Sequence, residues 1–206
     1  MNGQIQYAHD RAMTSEPTRA PASAPSSQLE TFRHELRTLG NQATRAELQR
    51  LVERTRELGL REEDVLEELD EIRTSIEAID FAERITREGL PVITLLNPRP
   101  PDDRCHFVTP VRFGRRRNDQ IGHLELTSGW VTFRGALDLS VVWTEVAGVE
   151  RDGREIALSL VDSRRVLRFR CHALEEAARA AVVARHLACG TASQAVDSHP
   201  GYQPAL

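Results

Sequence analysis

The hydrophobic period of this chain changes partway along, and that change limits what the chain can fold into. Up to about residue 89, apolar residues recur at steps of three and four; after residue 104 they alternate every second position. The first spacing lines one face of a helix, and the second lines one face of a strand. Between them lie Gly89-Leu90-Pro91 and the run "NPRPPDD", residues 97–103, whose prolines stop both element types. Helices first and strands second, not interleaved, predict an α+β chain with separate parts.

In the helical part, Ser27 and Glu30 have capping-box spacing, and Leu29, Phe32, Leu36 and Leu39 follow at helical intervals until Gly40-Asn41. Thr44 and Glu47 open a second helix with Leu48, Leu51, Val52 and Leu58 on its apolar face, closed by Gly59. A third and longest helix begins near Arg61. Its seam, Val65, Leu69, Ile72, Ile76 and Ile79, alternates steps of four and three over about two heptads. The expectation is three helices folded on one another with the third projecting. A short coiled coil, giving a homo-oligomer through that seam, is the sharper alternative.

The β part reads as about seven short strands, a spacing typical of a small barrel or sandwich. They are "CHFVTPVRF" (demoted to an edge or bulged strand by Pro110), "IGHLELT", "WVTFRG", "LDLSVVW", "TEVAGVER", "REIALSLV" and "RRVLRFRC". Asp152-Gly153 and Asp162-Ser163 mark hairpin turns. Trp130 and Trp143 are read as core residues. A last helix, "LEEAARAAVVARHLACG", carries Leu174, Ala178, Ala181, Val182 and Leu187 on one side and suits packing over a barrel opening. The domain reading is a disordered leader (1–26), a helical module (27–89), a linker (90–103), a barrel with capping helix (104–189) and a flexible tail (190–206).

Charge narrows the function classes. The net charge of −4 over 206 residues argues against wholesale nucleic-acid binding. All 27 basic residues are arginine, which excludes a Schiff-base lysine and fits a GC-rich coding sequence. Three cysteines are too few and too scattered for a disulfide framework. With no apolar run near the roughly 20 residues a bilayer span needs, the expectation is a cytoplasmic protein whose only membrane role would be peripheral.

"GHLELTSGWVTFRG", "DLSVVWTEVAGVERDG" and "RVLRFRCHALEEAARAAVVARHL" together resemble the pleckstrin-homology-like (PH-like) superfamily, in particular GRAM-type and bacterial PH-like domains. The resemblance runs over roughly residues 104 to 189. It implies a seven-stranded, strongly bent barrel capped by one helix, and a module that binds phosphoinositides, other lipids or protein segments without doing chemistry.

It also gives the arginines a role. Arg104, Arg112, Arg115, Arg116 and Arg117 share a segment with no acid among them, the last three in the first inter-strand loop. In lipid-binding PH domains that loop holds anionic headgroups, and arginine pairs phosphate oxygens bidentately. The expected anion-binding set is Arg112, Arg115, Arg116, Arg117 and Arg134. Against lipid, the second strand carries His123 and Glu125 where lipid-binding members carry cations, so a protein segment is the first choice of partner and anionic lipid the second. Nucleic acid through Arg112 to Arg117 is the remote option.

The third helix has a net charge of −7 from Arg61 to Glu88, against +3 from Arg99 to Arg134. That contrast suggests that the helical arm masks the basic loop. The rival class is an enzyme or metal-dependent regulator using Cys105-His106 and Cys171-His172. Adjacent strand residues point to opposite faces, so neither dipeptide readily closes on one ion. No catalytic group, metal or cofactor is expected, and the helices are read as an association arm of an adaptor.

Overall fold

The computed structural model describes residues 24–40, 43–95, 102–114, 119–161 and 164–197. Helix α1 (Ala24–Leu39) starts ahead of Ser27, whose carbonyl accepts from Thr31 Oγ1 at 2.9 Å inside the helix. The Ser27/Glu30 pair is therefore not the cap. Pro25 falls in the first turn, where a missing N–H costs nothing, and the helix extends through it.

Helix α2 (Arg45–Glu57) does start on its box: Thr44 Oγ1 accepts from Glu47 N–H, and Glu47 Oε2 accepts from Thr44 N–H at 2.7 Å. The amide and hydroxyl of Thr44 hold the Glu47 carboxyl below the usual carboxylate range. A 3-10 turn (Glu62–Val65) leads into α3 (Leu66–Glu88), which ends at Gly89 with φ 84°, a left-handed value natural to glycine.

These helices share one core of Phe32, Leu36, Ala43, Leu51, Val65, Leu69, Ile72 and Ile76. Four of the five seam residues are thus buried within the chain, and only Ile79, at 49% exposure, faces outward. The three helices fold on one another as expected, and the seam that offered self-association as the alternative is covered by α1 and α2 of the same chain. Helix α3 does not project. It packs along α4 (Leu174–Asp197), and Phe81, Ile85 and Leu90 join the core of the β part.

The β part is a seven-stranded antiparallel sheet: β1 (Cys105–Phe113), β2 (Gln120–Thr127), β3 (Trp130–Arg134), β4 (Leu139–Val142), β5 (Val146–Asp152), β6 (Glu155–Leu160) and β7 (Val166–Cys171). Their order is β4-β3-β2-β1-β7-β6-β5. Strand β1 is therefore not an edge, although its register does slip between Cys105 and Phe107. Strand β7 joins β1 only at Val111–Phe113, so Pro110 sits where β1 pairs on one side and its missing donor is tolerated.

Inward residues from every strand, among them Val111, Leu124, Phe133, Val141, Val146, Leu158 and Phe169, meet in a single core, so the sheet is curled into a barrel open between β4 and β5. Ala177, Ala180, Val183, Ala184 and Leu187 of α4 plug it. The helix continues past Gly190 to Asp197, beyond its predicted stop. Trp143 is buried, its Nε1–H donating to Thr127 O at 2.7 Å, whereas Trp130 is 43% exposed and not a core residue. The architecture is α+β, a helical module followed by a PH-like sheet with its C-terminal helix. No helix among the described residues is long and apolar enough to cross a membrane.

Candidate functional site

Strand direction sorts the connections into two ends. The β1–β2, β3–β4 and β6–β7 connections share one end of the barrel; the β2–β3 and β5–β6 turns and the start of α4 share the other. The first end is the candidate binding surface.

Its floor is aromatic. The rings of Phe113, Phe133 and Phe169 cluster with centroids 5.1–6.4 Å apart, Phe113 stacked on Phe169 and Phe133 tilted to both. Phe133 lies so close over Gly122 and Gly135 that a Cβ at either would fall within 2.8 Å of its ring. The glycine opening the "GHLELT" run is therefore a packing requirement. The β3–β4 connection is tied down where Leu137 N–H donates to Gln120 Oε1 at 3.2 Å.

On this floor the structure places the predicted arginines unevenly. Arg112 is exposed, directly opposite Ile121 of β2 on one side and Arg170 of β7 on the other. Like charges so placed repel, and Glu155, 3.8 Å from Arg170, offsets part of it. Arg134 is engaged: Nη1 donates to Asp138 at 3.2 Å, and Nε lies 3.6 Å from the buried Glu125. The acid that looked wrong-signed for lipid binding thus pairs with the arginine of the next strand.

Arg115, Arg116 and Arg117 lie outside the described residues, as do Asp162 and Ser163; Gly114 and Asp119 mark where the arginine loop leaves and rejoins the sheet. Two further cations, Arg164 and Arg165, stand exposed in the β6–β7 connection. That they share an end of the barrel with the β1–β2 connection follows from strand topology and has no counterpart in local sequence pattern.

The acidic arm reaches the barrel elsewhere. Arg151 of β5, its side chain only 10% exposed, lies 2.5 Å from Glu71 of α3 and donates to Ser75 Oγ at 3.2 Å and to Gly153 O at 3.1 Å. Beside it, α1, α3 and the β5–β6 turn enclose a cleft of about 970 Å³ in which Glu67, Glu68, Glu71 and Asp152 face Arg37, Arg151, Arg154 and Arg170. A second cleft of about 540 Å³ follows the α3–α4 seam, where Arg179 lies over the Phe81 ring at 5.9 Å. Neither is lined by Arg112, Gly114 or Asp119. Among the described residues the arm docks on Arg151 and α4; the loop it was expected to mask, residues 115–117, lies outside them.

The Cys-His positions are separated. Cys171 pairs with Val111, six residues along β1 from Cys105, or about 20 Å of strand. His106 is buried, with Nδ1 2.7 Å from Pro91 O and Nε2 2.9 Å from Ser128 Oγ. A carbonyl only accepts, so Nδ1 donates to Pro91 O, while Ser128 Oγ donates to Arg104 O at 3.4 Å. His172 is exposed. Burial, assisted by Glu176, pushes the Cys171 thiol up to about 12, far from a thiolate nucleophile at neutral pH.

No family model matches the chain, and no curated protein matches it. Among solved structures it is similar to the FERM and C-terminal domain complex of Drosophila Merlin, at 15% identity over 44% of this chain and 31% of that one, with a TM-score of 0.39. It is similar to the linker-DH/PH domains of p115-RhoGEF at 12% identity over 80% and 54% of the two chains, TM-score 0.38. A DH/PH fragment of PDZRHOGEF, solved in complex with human RhoA, matches at 10% identity over 81% and 54%, TM-score 0.38. The chain spans between about a third and about half of these proteins. At such identities and scores the likeness carries no argument about what this chain binds.

Proposed function

We propose that this chain is a non-catalytic binding protein of GRAM or bacterial PH-like type, acting as an adaptor. Its loop end recognises an anionic partner, and the arm, folded back on Arg151 and α4, sets how the domain is presented. The observation that carries this reading is that Arg112, Arg134, Arg164 and Arg165 are exposed on strands and connections that share one end of the barrel. Exposed arginines bind multivalent anions by charge and bidentate geometry and supply no nucleophile or base. The arginine loop, residues 115–117, adds three more cations in sequence at the same connection.

The test is retention of the intact protein on phosphatidylserine vesicles and on immobilised acidic peptides. Substituting Arg112, Arg134, Arg164 and Arg165 together by Gln, or Arg115, Arg116 and Arg117 by Ala, should abolish whichever binding occurs. A parent protein that binds neither, or variants that bind as well as the parent, would overturn the proposal.

A further inference from the structure

The larger cleft, between the arm and the barrel, holds charges that the chain leaves unused. Its walls are held in place by the α3–α4 packing and by the Arg151–Glu71 pair, whose arginine side chain is nine-tenths buried. On the arm wall Arg37 occupies Glu68 at 2.9 Å. Beyond these pairs, no hydrogen bond or ion pair among the described residues engages the side chains of Glu67, Asp152 or Arg154, although all three line the cleft. Arg170 is held only loosely, 3.8 Å from a Glu155 carboxylate that Arg168 already holds at 2.6 Å. Leu39 and Leu174, both half-buried, line the same space.

We propose that this cleft is a second binding site, separate from the loop end, and that its ligand is a peptide segment with a basic and an acidic side chain around an apolar one. Glu67 takes the basic group, Arg154 and Arg170 take the acid, and the apolar side chain rests on Leu39 and Leu174. Charge decides the class of ligand. A polyanion would meet Glu67, Glu68, Glu71 and Asp152, and a polycation would meet the arginines. Only a ligand of both signs gains on each wall without setting like charges against each other. Size decides the rest. At about 970 Å³ the cleft lies at the upper end of the roughly 300–1,000 Å³ usual for ligand sites, too roomy for a lone ion or a single amino acid. The proposal does not depend on the anionic-partner reading, because it uses none of the loop-end arginines.

The experiment titrates the full chain with the capped tripeptides Arg-Leu-Glu, Arg-Leu-Arg and Glu-Leu-Glu, following the amide resonances of Gly40 on the arm wall and Gly153 on the barrel wall. The mixed peptide should shift both and bind about tenfold more tightly than either same-sign peptide. Arg154→Glu with Arg170→Glu, both at exposed positions, should reverse that order and make Arg-Leu-Arg the tightest ligand. Glu67→Arg makes the opposite change and should favour Glu-Leu-Glu. A variant that only disturbed the fold would weaken all three peptides alike. Replacing Arg112, Arg134, Arg164 and Arg165 by Gln should leave binding of the mixed peptide as in the parent, which separates this site from the loop end. If the parent does not bind the mixed peptide, or binds Glu-Leu-Glu equally well, the proposal is wrong. It is equally wrong if neither charge reversal changes the order of the peptides, or if the loop-end variant abolishes their binding.

Discussion

Gly122 and Phe133 show how a single position constrains the barrel. A Cβ on Gly122 would meet the Arg134 carbonyl oxygen at 2.2 Å and the Phe133 ring at 2.7 Å, and the carbonyl is backbone that cannot swing away. Gly122→Ala should destabilise the protein by about 1–3 kcal/mol, as overpacking does, read from denaturant unfolding. The glycine was visible in the "GHLELT" run; the ring it accommodates, eleven residues away, was not. The cysteines make the same point. Cys105-His106 and Cys171-His172 look equivalent in sequence, yet folding buries His106 between Pro91 and Ser128 and leaves His172 in water. The folded Cys171 thiol titrates near 12 against an ordinary 9.0, so the unfolded chain loses this proton first as pH rises. Its contribution to stability should be complete below pH 9 and lost between 9 and about 12, detectable as a falling unfolding midpoint that Cys171→Ala flattens.

Helix α3 was read correctly as a heptad-spaced helix folded against its neighbours and incorrectly as projecting from them. Periodicity shows that Val65, Leu69, Ile72 and Ile76 need cover, but it does not say whether the cover comes from another copy or from Phe32, Leu36 and Leu51 of the same chain. Ile72→Ala should therefore cost about 2–5 kcal/mol, the range for a buried truncation, without altering the mass measured by light scattering. A change of oligomeric state would revive the intermolecular seam. The other face of α3 depends on Arg151. Removing that guanidinium takes from Glu71 its buried ion-pair partner, and Arg151→Ala should loosen the seam by about 1.5–3 kcal/mol. Amide exchange should rise in the first half of α3 and in the β5–β6 turn, and stay unchanged at the loop end.

Across the molecule, the two ends should answer salt differently. The arm is held by Phe81, Ile85 and Leu90, which salt does not screen, and by an arginine that is nine-tenths buried. The arginines of the loop end stand in solvent, where a Debye length of about 8 Å at physiological ionic strength weakens them. Raising salt should leave the hydrodynamic radius unchanged while reducing anion binding. An expanded molecule at high salt would mean that the arm is held by surface charge after all.

Local chemistry in the chain specified its elements: three helices, seven strands and a closing helix follow from the period of apolar residues and from the Thr44, Gly89 and Asp152-Gly153 signals. Those signals act within a few residues, and they can be read there. Which face of α3 meets which neighbour, which exposed arginines share an end of the barrel, and why Arg151 ties the two halves together depend on pairings between distant positions. Such pairings are selected by the free energy of the whole packed arrangement, to which no short stretch of sequence has access.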